Sequence, residues 1–459
     1  MQPTDLSLWH STLSGDSFAP RPPLPGDTEV DVAIIGAGFT GLWTAYYLQR
    51  RDPSLRIEIV EAEFAGFGAS GRNGGWCSAL LPMGFEAMAV THGRDGATRL
   101  QQAMHDTVDE VGRVADAEGI DCHFTKGGTL RAARNPAHVA RMQAEVAEYH
   151  DYGFSDDDMR WLDADEAGRM IASSHQLGGV FTPHCAAIHP ARLVRGLADV
   201  VAASGVAIHE RTRVTEIHPR RLVTDHGTIR AEHVVRATEG FTPTLPGHRR
   251  RLVPVYSLMI ATEPLPTAFF DEVGWADRAT FSDGRRLIIY GQRTADDRIA
   301  FGGRGAPYHF GSAVKPEFDR HQGVHDGLHT TLREIFPALG DAAITHRWGG
   351  PVGVPRDWYC SVGLDRTTGI GWAGGYVGDG VATTNLAGRT LCDLIVGDAT
   401  DLTSMPWVDH HSPDWEPEPL RWIGINAMVQ LPIGADAYEA KHQQPERWRS
   451  KVLSRMTGH

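Results

Sequence analysis

The stretch Asp31-Val-Ala-Ile-Ile-Gly36-Ala-Gly38-Phe-Thr-Gly41-Leu-Trp-Thr-Ala-Tyr-Tyr-Leu48 decides how the chain is read. The β-branched run before Gly36 has the character of a strand buried on both faces, and the Ala-, Leu- and Tyr-rich run after Gly41 has that of a packed helix. Between them, Gly36-x-Gly38-x-x-Gly41 supplies a tight turn, room for a backbone to approach pyrophosphate, and close helix-strand contact. A second apolar strand, Arg56-Ile-Glu-Ile-Val60, ends at Glu61. That acid lies about twenty residues past the glycines, where a carboxylate accepts ribose hydroxyls and disfavours a 2′-phosphate. Strand, turn, helix, strand and acid together predict an adenine dinucleotide site, with NAD and FAD both open at this point.

The next segment, Gly66-Phe-Gly68-Ala-Ser70-Gly71-Arg72-Asn73-Gly74-Gly75-Trp76, is too glycine-rich for a stable helix or ordinary strand. It reads as a loop laid against something flat. With the first motif it resembles the D-amino-acid oxidase superfamily of FAD enzymes, and within it the amine-oxidising branch typified by γ-glutamylputrescine oxidase. There a matching segment follows the ribose-binding acid and runs past the pyrophosphate to the flavin. The fold class this implies is α/β, a Rossmann-like FAD-binding domain with a discontinuous, antiparallel-sheet substrate domain of α+β character.

A third segment, Gly371-Trp-Ala-Gly374-Gly375-Tyr-Val-Gly378-Asp379-Gly380-Val381-Ala382, again leads from a strand through glycines into a helix. It resembles the family's flavin-contacting C-terminal segment, whose helix N-terminus stabilises negative charge on the reduced ring. Where the family often has Ser-Gly-His-Gly, this chain has Val-Gly-Asp-Gly. Asp379 either binds a substrate ammonium or caps the helix. The resemblance implies cofactor contacts from Gly36, Ala37, Gly38, Phe39, Thr40, Gly41 and Glu61. It adds Gly68, Ala69, Ser70, Arg72, Asn73, Gly74 and Gly75 from the second segment, and Gly375, Gly378, Asp379, Gly380, Val381 and Ala382 from the third. Val214 at the adenine and the Ala237-Thr238 turn complete the set, although Glu239 stands where the family often has Asn.

The remaining limits come from composition. The 459 residues allow two or three domains, and 41% hydrophobic with 22% charged residues is ordinary for a globular chain. The 57 acidic against 44 basic residues give a net charge of −13, which argues against nucleic acid as a partner. Five scattered cysteines form no CxxC pair and no zinc spacing, so no metal is expected and a reduced, cytoplasmic protein is the simplest reading. No run is long and apolar enough to span a membrane. No second dinucleotide motif and no redox CxxxxC appear, so electrons are expected from the substrate itself.

Domain boundaries are expected as an extended Pro-rich lead-in over 1–27 and an FAD domain built from 28–90, 160–245 and 341–400. A substrate or cap domain takes 91–159 and 246–340, and 401–459 forms a Trp- and Pro-rich arm. Residues Cys122 to Ala132 are expected to be a strand pair turning at Gly127-Gly128. His189 is expected to shape the start of a helix rather than move protons.

The chemistry implied is oxidation of a primary or secondary amine or amino acid to an imine, then a carbonyl, by hydride transfer to flavin N5, with O2 reduced to hydrogen peroxide. The alternatives are a dehydrogenase using a quinone or protein acceptor, and a flavin-binding component of a complex without turnover. Candidate catalytic residues are Trp76, Tyr290, Arg304, Trp348 and Asp379, with Arg293 and Tyr308 of similar standing. Noncovalent FAD is expected, because His346-Arg-Trp-Gly349-Gly350 lacks the cysteine through which related sarcosine-type oxidases attach flavin. None of the four lysines, at 126, 315, 441 and 451, falls where those enzymes use one with oxygen. Monomer and homo-oligomer are both open.

Overall fold

The computed structural model describes residues 2–15, 18–449 and 451–452. Strand Thr28–Ile35 lies at the centre of the first sheet, parallel to Ile57–Val60 on one side and Thr228–Arg236 on the other. Its Val32, Ala33 and Ile34 are fully buried, as a strand covered on both faces requires. Ala207–His209 extends this sheet at one edge, and Ile370–Gly374 followed by Ser361–Asp365 at the other. Helices Phe39–Arg51 and Gly380–Val396 pack together on one face, where a Cβ on Gly388 would stand 2.7 Å from that of Trp43.

The second sheet has eight strands among the described residues, in the order Ile344–Val354, Val253–Thr262, Ile299–Gly303, Ile289–Arg293, Thr280–Asp283, Thr129–Ala133, Gly178–Thr182 and Arg160–Leu162. Every pairing is antiparallel except Thr280–Asp283 with Thr129–Ala133. The mixed α/β fold class and the largely antiparallel second sheet agree with the sequence reading.

Several boundaries differ. Strands Arg160–Leu162, Gly178–Thr182 and Ile344–Val354 belong to the second sheet, not to the nucleotide unit as the reading of 160–245 and 341–400 had them. The helix Phe85–Ala117, assigned to the cap, packs Met104, Val108, Val111 and Val114 into the core of the first sheet. Alternation and helical spacing reveal an element's buried face but not the partner that covers it. The strand pair expected at Cys122 to Ala132 does not form: Thr125 makes an isolated bridge to Ala187, and only Thr129–Ala133 is a strand.

The lead-in is not merely extended. A short helix, Leu8–Ser11, buries Leu8 and Trp9 against Met259, Ala300 and Trp348, and the Trp9 indole donates to the Asn73 carbonyl at 2.7 Å. The C-terminal arm carries a 23-residue helix, Leu420–His442. Its Asp436 accepts from the Arg286 and Leu287 amides, and its fully buried Glu439 pairs with Arg141 and Arg286. No helix among the described residues is long and apolar enough to cross a membrane, and all five cysteines are buried and unpaired.

Candidate active site

A cleft with about 1430 Å³ of empty space, its open mouth included, runs along the carboxyl ends of the central strands. Such a crevice is where doubly wound sheets hold dinucleotides. One wall is the first glycine turn. Gly36 sits at φ +103°, and a Cβ there would stand 2.7 Å from the Ala237 carbonyl oxygen; one on Gly41 would stand 2.1 Å from the Gly36 carbonyl oxygen. Neither contact leaves room for a side chain.

Glu61 lines the cleft at the end of the second strand, accepting from the Ala37 amide at 2.9 Å and the Glu63 amide at 3.0 Å, with burial pushing its carboxyl above the usual range. Ser70 joins the second glycine segment to the first, its hydroxyl accepting from the Phe39 amide at 2.9 Å. Asn73 folds its own loop: its amide donates to the Ala69 and Ser70 carbonyls, and its oxygen accepts from Gly75.

Gly36, Gly38, Phe39, Thr40, Glu61, Gly68, Ala69, Ser70, Asn73, Val214, Ala237, Thr238, Gly378, Gly380 and Val381 all line this one cleft. Ala37, Gly41, Gly74, Gly75, Gly375, Asp379 and Ala382 are not part of its lining: Ala37 holds Glu61, Gly41 packs on Gly36, and Gly375 donates to Glu239. Arg72 turns away altogether. Only 4% exposed, it pairs with Asp319 at 2.6 Å and donates to the Gly349 carbonyl.

Sequence reading missed Phe67 and Tyr376, which lie inside the second and third glycine segments, and Phe241 and Pro351, which carry no local signal, and it treated Glu239 only as a departure. In the structure Glu239 is a tie. Its carboxylate accepts from the Gly353 amide at 3.2 Å and the Gly375 amide at 2.9 Å, joining the second sheet to the third glycine segment. Burial raises its pKa to about 7.

These features fit FAD. Helices Phe39–Arg51 and Gly380–Val396 both begin at this cleft, and neither is capped by its N-cap side chain. Two helix N-termini on one cleft offer amides and positive dipole ends to the anionic and electron-rich parts of a dinucleotide. The capping role considered for Asp379 is therefore not realised.

Beyond the glycine loops, the second sheet brings a cluster together. The Tyr290 ring packs on Gly74 and Gly302, its hydroxyl is 2.7 Å from Ser257 Oγ, and the ring meets Trp76 edge-on at 6.2 Å. The Trp76 indole donates to the Gly291 carbonyl at 3.2 Å. Arg304 donates to the Val377 carbonyl at 2.5 Å and lies over Trp358. The Arg304 guanidinium and the Asp379 carboxylate attract each other. Burial raises the Asp379 pKa to about 6 despite that attraction, and lowers that of Arg304.

Trp348 does not join them. It is 1% exposed and donates to the Arg72 carbonyl at 2.9 Å behind the second loop. Arg293 is paired with Asp297, and Tyr308 is held by Glu418 of the C-terminal arm. His189 accepts from the Arg192 amide and shapes its helix as expected. Gln292, unremarked in sequence, is fully buried and donates to the Gly74, Gly75 and Ile188 carbonyls, fixing the second loop to the sheet.

A dinucleotide cleft on a doubly wound sheet, walled by a second antiparallel sheet that carries polar side chains, defines the class as a two-domain flavoprotein oxidoreductase. The chain belongs to the FAD dependent oxidoreductase family, which it matches over residues 31–394, and its cofactor is FAD. It is 30% identical over 400 residues to "Probable oxidoreductase OrdL" of Rhizobium meliloti, covering 83% of this chain and 86% of that protein. It is 28% identical over 414 residues to gamma-glutamylputrescine oxidoreductase of Escherichia coli, covering 89% and 93%. Among solved structures it resembles glycine oxidase from Geobacillus kaustophilus, with a TM-score of 0.70 at 21% identity, covering 83% of this chain and 99% of that one.

Proposed function

We propose that the chain oxidises a primary or secondary amine or amino acid to an imine, which water hydrolyses to a carbonyl product, with O2 reduced to hydrogen peroxide. The carrying observation is that Arg304, Asp379, Tyr290 and Trp76 meet where the second sheet closes on the glycine loops. Relatives named for a glutamylated amine and for amino acids support this substrate class.

Glu61, the two helix N-termini and the glycine loops would hold FAD without a covalent bond. Bound FAD supplies the acceptor for a hydride from the carbon beside nitrogen. Arg304 offers a guanidinium to a carboxylate or similar anion on the substrate. Asp379 offers a carboxylate that binds the substrate ammonium and takes its proton, leaving the neutral amine as the species oxidised, and the Tyr290 hydroxyl orients a polar group between them. The rings of Trp76 and Tyr290 form an apolar wall that excludes water from the reacting carbon.

The test is an anaerobic titration of the yellow holoenzyme with polyamine conjugates, N-methyl amino acids, D-amino acids and aminophosphonates, followed by admission of air. Bleaching by an amine, then recovery of colour with one hydrogen peroxide per turnover, is expected. Bleaching with recovery only on adding a dye or quinone selects the dehydrogenase reading. No bleaching by any amine rejects the proposal. Flavin released into the supernatant by acid precipitation checks the noncovalent linkage; yellow colour in the pellet overturns it.

A further inference from the structure

Away from the cleft, three residues far apart in sequence meet: His105 on the helix Phe85–Ala117, Asp158 in the turn before strand Arg160–Leu162, and His184 before the short strand Cys185–Ala187. One ligand atom from each lies within 4.8 Å of the other two. His184 Nε2 is 3.0 Å from Asp158 Oδ1, and His105 Nδ1 is 3.6 Å from the same oxygen.

His105 is 2% exposed, and its Nδ1 has no hydrogen-bond partner; the Nδ1 of His184 has none either. A buried imidazole nitrogen left facing a carboxylate beyond hydrogen-bond distance is costly unless something completes it. The carboxylate is itself oriented, because the Ser155 amide donates to Oδ2 at 3.0 Å and leaves Oδ1 toward the histidines. That is how an outer partner fixes a metal-ligating group.

We infer that His105, Asp158 and His184 form a binding site for a first-row divalent metal ion such as zinc, which clamps the three segments together. Two imidazoles and one carboxylate are ligands such ions favour, with a fourth position left for water. The rings stack face to face at 3.6 Å, so loading requires one to turn. His184, with 16% of its side chain exposed, is the ring nearer solvent, while His105 is held in the core. The neighbouring charges, Lys126 and Asp109, are paired with each other at 2.5 Å.

The clamp would also steady the flavin side. The Ala79 amide donates to the His184 carbonyl, and the strand Trp76–Ser78 that carries Trp76 pairs with Cys185–Ala187. The sequence shows no metal spacing here, because the ligands come from separate elements.

The experiment uses tag-free holoenzyme stripped with a chelator and then titrated with zinc chloride, and with cobalt chloride as a coloured probe. Expected are one tightly held zinc per chain by elemental analysis, cobalt bands to the red of the flavin absorption, and a rise in thermal midpoint with zinc. His184→Ala and Asp158→Asn, at partly exposed positions, should each weaken binding by more than roughly 10-fold with the flavin spectrum intact. Failure of the wild type to hold stoichiometric metal overturns the inference. So does metal held equally well by both variants, which would place it on other surface histidines.

Discussion

The first and third glycine segments face the same cleft but are held there by different means. At Gly36 and Gly41 the backbone touches backbone, with no space for a single added carbon. At Gly374 to Gly380 the loop is held by side chains: Glu239 takes the Gly375 amide and Arg304 the Val377 carbonyl. Steric necessity leaves one solution, whereas side-chain ties are exchangeable. The first segment therefore serves any dinucleotide, and the third is where this chain can adjust its own chemistry.

The largest effect that could break this contrast is a methyl-bearing residue at Gly41. Gly41→Val should yield no FAD-loaded protein, read as loss of the flavin-to-protein absorbance ratio. Gly380→Ala, whose Cβ would meet nothing nearer than 3.4 Å, should keep its flavin. Equal loss in both would erase the distinction.

Arg304→Ala comes next. Removing a charged hydrogen-bonding partner costs about 1.5–3 kcal/mol, so kcat/KM of the flavin-saturated variant should fall roughly 10- to 150-fold.

Asp379 sharpens the comparison through pH. With its pKa raised to about 6, its carboxylate is lost as the pH falls through that value, so kcat/KM for an amine should drop about tenfold from pH 7 to pH 5. Asp379→Asn should start lower and lack this acid limb.

The smallest effect is expected at Glu239. Glu239→Gln should weaken FAD retention by about fivefold, the value of one hydrogen bond near 1 kcal/mol. Because folding raises this carboxyl from 4.5 to about 7, the folded protein binds more protons than the unfolded chain across that window. Stability from this group is therefore present at low pH and lost as the pH rises from 4.5 to about 7. The thermal midpoint of the wild type should fall over that range more than that of Glu239→Gln.

Legibility in sequence followed the same division. The cofactor half was readable because each glycine, the buried strand and Glu61 answer to constraints acting within about thirty residues of chain. Arg72 and Trp348 misled for the opposite reason. Each sits in or near a flavin-type motif, yet Asp319 and the Trp9 cluster, contributed by remote segments, turn them inward. Glu239 and Gln292 act by bonding carbonyls and amides far away in sequence, which leaves no periodic trace.

By itself the amino-acid sequence determined a dinucleotide-binding turn, because backbone approach there admits glycine and little else and that steric rule is local; the choice of FAD came with the resemblance carried by the second and third glycine segments. Only the tertiary structure decided which sheet each strand joins, which of the candidate side chains gather beside the glycine loops, and that His105, Asp158 and His184 meet. Those outcomes depend on long-range packing, in which many residues of similar hydrophobicity compete for the same partner surfaces and the winner is settled by the fold as a whole.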